Sequence, residues 1–220
     1  MLKDNLKNIH ERVAAAAKKS GRNPEEITLV CVSKTVDVQT ILDAQALGEN
    51  IFGENRVQEL CEKFPRVEGA TWHLIGHLQT NKVDKVVGKA ALIHSVDSIR
   101  LAEEINLRAQ KKGIIQDILL EINISGEESK YGLTTEEIPT IIKSISNMEH
   151  LCFKGFMTMA PKYATVEEIR LIFKTARKLF EEFRPCGAEI LSMGMSSDFE
   201  IAVEEGATHI RVGSSIFKKQ

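Results

Sequence analysis

The stretch 27-ITLVCVSKTVD-37 is apolar and rich in β-branched residues through Val32, then turns polar at Ser33-Lys34-Thr35. Such a run reads as a buried strand. The residues after Val32 decide the fold. An open, doubly wound sheet that binds a dinucleotide carries G-x-G-x-x-G after its first strand. No glycine stands anywhere in this stretch.

Working outward, short apolar runs alternate with longer amphipathic ones. Strands are expected at 27–33, 50–52, 71–75, 91–94, 116–122, 151–156, 188–191 and 208–212. Helices are expected at 37–47, 54–63, 80–88, 98–111, 134–147, 165–182 and 197–205, with a short helical tail at 214–219. Parallel strands need such crossovers, which leaves an open sheet or a closed barrel. Eight units favour closure, although 220 residues fall short of the ~250 typical of that barrel. The expected fold is therefore one α/β domain over 1–220, a (β/α)8 TIM barrel. Leu2, Leu6, Ile9 and Val13 add an amphipathic helix at its start. In 165-TVEEIRLIFKTARKLFEEF-183, Ile169, Leu171, Ile172, Leu179 and Phe183 mark an apolar side.

Composition bounds the function classes. A net charge of −2 with 27% charged residues gives no electrostatic reason for nucleic acid or an anionic membrane as partner. No apolar run approaches the ~18 residues of a membrane span. Charges interrupt the N-terminal segment where a signal peptide needs its apolar core. Cys31, Cys61, Cys152 and Cys186 are scattered, with Cys31 and Cys152 in apolar runs, so reduced thiols in a reducing cytoplasm are expected.

In such a barrel the active face is built from strand C-terminal ends and the loops after them. Those loops are Lys34 after the first strand, 53-GENRVQE-59, 76-GHLQTNK-82, 123-NISGEESKYGL-133, 157-MTMAP-161, 192-SMGMSSD-198 and 211-RVGSS-215. Phosphate sites commonly use the loops after strands 7 and 8. Both loops here offer glycine and serine before a helical pattern, so Gly194, Ser196, Ser197, Gly213 and Ser214 form a candidate anion cradle beside Arg211. Helix capping by the same serines is the plainer alternative for either loop alone. Lys34 would reach into the mouth, where partial desolvation would lower its pKa and free an amine for Schiff-base chemistry. Its plainer role is a solvated strand end. The residues alone leave open a phosphorylated carbonyl substrate or pyridoxal 5′-phosphate.

The motifs 30-VCVSKT-35, 52-FGENRVQE-59, 72-WHLIGHLQTNK-82, 156-FMTMAP-161, 192-SMGMSSD-198 and 210-IRVGSSIF-217 resemble, in order and across the chain, the pyridoxal phosphate homeostasis protein family. That resemblance implies the fold of the alanine racemase N-terminal barrel and pyridoxal 5′-phosphate held as a Schiff base on Lys34. It implies that Ser196 with its neighbour Ser197, Gly213 and Ser214 hold the phosphate, and that Arg211 faces the pyridine nitrogen. Ser197 stands where the family often carries an acidic residue. By the same resemblance Asn55 lines the pocket; by position alone His77, in the loop after the third strand, and Met157, flanking the mouth, are candidate contacts. A guanidinium has no acceptor, so it would leave the ring nitrogen unprotonated and the electron sink weak.

His73 and His77 have a zinc-like spacing, but on a strand they lie roughly 13 Å apart, so no metal is expected. Tyr131 is a loop residue or a lid. Alanine racemase also needs a tyrosine base from a C-terminal β-domain, which this chain is expected to lack. The expected function is therefore a cytoplasmic carrier or buffer of pyridoxal phosphate, monomeric, meeting cofactor-requiring apoenzymes transiently. The alternatives are a weak amino-acid racemase and a Schiff-base aldolase acting on a phosphorylated sugar.

Overall fold

A computed structural model gives the structure of the chain and describes residues 1–126 and 131–218. Residues 127–130, in the expected loop after the fifth strand, and residue 219 of the expected tail lie outside the described residues.

Eight strands pair in parallel and in chain order. They are β1 (Thr28–Val32), β2 (Ile51–Glu54), β3 (Thr71–Leu74), β4 (Leu92–Val96), β5 (Gln116–Glu121), β6 (Leu151–Met157), β7 (Ile190–Ser192) and β8 (His209–Val212). Pairing of β1 with β8, with Val30 opposite Arg211, closes the barrel. All eight expected strands are present, so the barrel expected from the missing glycine motif is the barrel found. Closure removes every sheet edge and creates two interiors, because successive residues point to opposite faces. Leu29, Cys31, Phe52, Trp72 and Leu120 belong to the large core between barrel and helices. Leu92, Leu119 and Met157, with Ile190 against them, form a separate cluster inside the barrel.

The helices are α1 (Leu2–Lys19), α2 (Val38–Ala46), α3 (Val57–Lys63), α4 (Val83–Val86), α5 (Ile99–Lys112), α6 (Ile138–Ile145), α7 (Val166–Phe183), α8 (Phe199–Glu204) and α9 (Ser214–Phe217). Their ends follow local chemistry. The Asp37 carboxylate accepts from the Thr40 amide at 2.9 Å and starts α2. Thr165 and Glu168 form a capping box on α7, and Gly113, left-handed at φ 64°, ends α5.

Three expectations need correction. The helix expected at 80–88 is a 3-10 turn, Thr80–Lys82, followed by the single turn α4. Gly88, at φ 82°, breaks the segment. On α7, Leu171 is 67% exposed, while Ile172, Phe173, Ala176 and Phe180 are buried. Leu171 lies two residues from Ile169, across the helix from it. Cys152 is only partly buried, whereas Cys31 is fully buried, and all four thiols are free.

The N-terminal helix packs beside the closing strands. Arg12 donates twice to Glu200 of α8, at 3.0 and 2.8 Å, and the Asn5 side chain donates to the Ile216 carbonyl of α9 at 2.8 Å. Among the described residues, no helix is long and apolar enough to cross a membrane.

Candidate functional site

Lys34 follows β1 by two residues and sits in an exposed turn. The partial desolvation expected for it is therefore absent. The reason is local: the strand ends at Val32, Ser33 is the last buried residue, and the chain then turns outward. Thr35 adopts φ 62°, the left-handed region, and is the one non-glycine residue with positive φ among the described residues. No hydrogen bond or ion pair engages the Lys34 ammonium among the described residues. Lys34 lines a cleft of about 570 Å³ together with Val32, Thr35, Asp37, Gly213 and Ser214.

Gly213 explains why the loop after β8 reaches Lys34. A Cβ there would stand 2.9 Å from the Val32 carbonyl oxygen and 3.0 Å from Val32 Cβ. Only glycine allows the loop to lie against the end of β1. The Gly213 and Ser215 amides both point at one oxygen, the Ser196 hydroxyl, at 3.3 and 3.5 Å. The two phosphate-type loops thus meet through Ser196. Gly194, at φ 90°, packs so closely on α8 that a Cβ would overlap that of Ala202. The Met195 amide donates to Asp198 at 2.6 Å and holds the turn between them. Ser197 and Ser214 are exposed. Converging amides, serine hydroxyls and a free ammonium form a donor set suited to an anion. Since α9 is a single turn, the individual amides supply this, with little macrodipole behind them.

Below the rim, Arg211 is 3% exposed. It donates to the Ser192 hydroxyl at 2.6 Å and to the Thr158 carbonyl at 3.0 Å. Burial pulls it down to about 10, against Asp198 and Glu121, so it remains charged at neutral pH. Ser192 also lies 3.0 Å from His94 Nδ1, and His94 Nε2 lies 3.1 Å from His73 Nδ1. Arginine can only donate, so among these partners only His94 Nδ1 can accept the Ser192 proton. His94 then carries its proton on Nε2 and gives it to His73, whose proton must sit on its own Nε2. Desolvation, reinforced by neighbouring charge, holds His94 well below its ordinary range and His73 at about 3, so both rings are neutral. A directed chain, Arg211 to Ser192 to His94 to His73, thus fixes the guanidinium. Glu121, at the end of β5, is also buried; desolvation and Asp97 push it up to about 7 against the pull of Arg211.

The remaining sequence candidates separate. The buried Asn55 Oδ1 has no partner, which leaves an acceptor for a ligand on the loop after β2. His77 is in a different, 380 Å³ pocket with Asp97, Ser98 and Arg100. Its Nδ1 lies 3.4 Å from Asp97, and its ring stacks on Tyr131 at 3.9 Å. Tyr131 therefore covers His77, away from the residues that line the Lys34 cleft. Met157 is fully buried against Leu92 and Leu119 as barrel filling. No cluster of three or more metal-ligating side chains occurs among the described residues.

Sequence reading missed His94, His209, Ser192 and Glu121. The signal was present: period-two alternation places His209 with Arg211, and Ser192 with Ile190, on the inner face. Their apolar neighbours made these strands look uniformly hydrophobic.

Known proteins place the chain firmly. Residues 5–220 match the family model described as alanine racemase, N-terminal domain. The chain is 39% identical to the pyridoxal phosphate homeostasis protein of Aquifex aeolicus, with 97% of this chain and 96% of the relative covered. To the human protein of the same name it is 36% identical, covering 96% and 84%. The solved structure of PipY from Synechococcus elongatus with PLP bound superposes with a TM-score of 0.83 at 35% identity, covering 96% of this chain and all of that one.

Proposed function

This chain belongs to the alanine racemase N-terminal domain family, among the pyridoxal phosphate homeostasis proteins, and from that premise we propose that it binds pyridoxal 5′-phosphate and takes part in its homeostasis as a carrier or buffer. The observation that carries the reading is the single cleft lined by Lys34, whose ammonium makes no hydrogen bond or ion pair among the described residues, together with Gly213 and Ser214. The residues present fit the group. The cofactor supplies an aldehyde that condenses with an amine and a phosphate that needs converging donors.

In this reading Lys34 is the amine of the Schiff base, and its exposure leaves it open to a cofactor arriving from solvent or leaving to it. Ser196, Ser197, Gly213 and Ser214 hold the phosphate through amides and hydroxyls. Arg211 offers N–H donors and no acceptor, so it can hydrogen-bond a ring nitrogen but has no lone pair with which to hold a proton on it. Asn55, on the loop after β2, offers its unpartnered buried Oδ1 as an acceptor. Met157 and His77 act at a distance, one as barrel filling and the other under Tyr131.

A carrier needs reversible binding without turnover, and a guanidinium at the ring is a poor aid to carbanion chemistry. We therefore read the protein as lacking robust catalysis, as a monomer, and as handing cofactor to apoenzymes by release. Two measurements test this. Inorganic phosphate should compete with pyridoxal phosphate, and pyridoxal without phosphate should bind about 100-fold more weakly, each tenfold being about 1.4 kcal/mol. The loaded protein, given L-amino acids, should accumulate no D-enantiomer. Sustained racemisation would replace the carrier reading with the racemase one.

A further inference from the structure

The two peptide groups that flank the Lys34 Cα are both held by one buried ion cluster. Lys63, at the end of α3, is almost fully buried. Its ammonium donates to the Ser33 carbonyl at 2.8 Å, to Glu54 at 2.7 Å and to Glu59 at 3.2 Å. All three of its N–H donors are thereby used. The same Glu54 oxygen accepts from the Ser33 hydroxyl at 2.7 Å, and the same Glu59 oxygen accepts from the Thr35 amide at 2.8 Å. Burial works against the Glu59 carboxylate, but the Thr35 amide and Lys63 hold it below its ordinary value.

Thr35 shows what this arrangement opposes. A β-branched residue at φ 62° is strained and persists only where its surroundings over-determine it. Burying one ammonium with one buried and one half-buried carboxylate is also a poor way to gain stability, since an apolar cluster of similar volume would usually serve as well or better. Among the described residues, every side-chain hydrogen bond the cluster makes outside itself goes to Ser33 or Thr35.

We propose that Glu54, Glu59 and Lys63 are positioning residues, a clamp that holds the strained Ser33–Thr35 turn and so keeps Lys34 on the cleft it shares with the Gly213–Ser214 loop. The proposal deepens the function above and rests on Lys34 being the amine that takes the aldehyde. The clamp acts through the backbone and touches no ligand.

Glu59→Ala tests it most cleanly, because Glu59 is partly exposed and its loss frees the Thr35 amide without emptying the core. Glu59→Gln keeps an oxygen that can accept from Thr35. In the ligand-free protein, Thr35 amide exchange should quicken about tenfold in Glu59→Ala and change little in Glu59→Gln. The rate at which added pyridoxal phosphate becomes fixed to Lys34 by borohydride should fall about tenfold in Glu59→Ala and stay within about threefold in Glu59→Gln. Affinity for pyridoxine 5′-phosphate, which has the phosphate but no aldehyde, should stay within about threefold in both. Lys63→Met with Glu54→Gln, which removes the buried charges together, should reproduce the slow fixation in a folded protein.

A Glu59→Ala protein that keeps Thr35 protected and is fixed at the wild-type rate overturns the clamp alone. Wild-type protein that is not fixed at Lys34 overturns the cofactor reading, and the clamp's purpose with it. Those two failures are told apart by the wild-type lane.

Discussion

At the scale of single residues, the site depends on groups whose protonation is set by burial. Glu121 is buried, and desolvation, aided by Asp97, lifts it to about 7. Its folded value thus lies above its unfolded one, so the folded state holds its proton between about pH 4.5 and 7. Any stability this group provides is complete at low pH and is lost as pH rises through that window. Glu121→Gln should therefore gain on the wild type between pH 4.5 and 8, by up to about 3 kcal/mol. Chemical denaturation at the two pH values checks this, and a pH-independent difference would contradict it. The relay beneath Arg211 makes a second prediction. Nitrogen NMR should show His94 and His73 as neutral Nε2–H tautomers down to pH 5, and Ser192→Ala should release the His94 tautomer. Lys34 and Arg211 were legible from the sequence because charge at the ends of apolar strands is conspicuous. The exposure of Lys34 was not, since it depends on the backbone turn at Thr35. The burial of Glu54 and Lys63 was not legible either, since it depends on their pairing in three dimensions.

At the scale of elements, strands were easier to read than helices. Each strand is a short β-branched run between polar punctuation, and all eight fall close to their expected positions. Helix faces were blurred by apolar residues on the wrong side. Leu171 reads as part of the α7 stripe, but Phe173 and Phe180 carry the contact. Phe173→Ala should thus cost about 3–5 kcal/mol, whereas Leu171→Ala should stay within about 0.5 kcal/mol. Equal losses in thermal or denaturant unfolding would mean the helix is turned differently. Gly155 marks a subtler element effect. It lies on β6 at φ 136°, just after the register shift between β5 and β6, and a Cβ there would overlap the Ile190 carbonyl oxygen. Gly155→Ala should destabilise by about 1–3 kcal/mol or more by forcing β6 from β7. Neither the shift nor the close approach leaves a pattern in sequence.

At the scale of the whole molecule, closure puts the ends of β1 and β8 side by side. That neighbourhood explains the site: residues nearly 180 positions apart, Lys34 and Gly213, line one cleft because the first strand pairs with the last. The fold was legible because eight alternating units without a glycine-rich first turn leave few alternatives. The loops proposed to hold the phosphate were legible because glycine and serine recur after the last two strands. The division of the candidates between cleft, lumen and a separate pocket was not, since alternation alone does not say which inner-face residues fill the barrel and which reach its mouth. The most direct test of Lys34 as the cofactor-bearing amine is to incubate the protein with pyridoxal 5′-phosphate, reduce with borohydride and map the modified peptide. The predicted result is a yellow protein before reduction and the cofactor's mass on the peptide containing Lys34. A colourless protein, or one whose cofactor is fixed elsewhere with Lys34 unmodified, would contradict it.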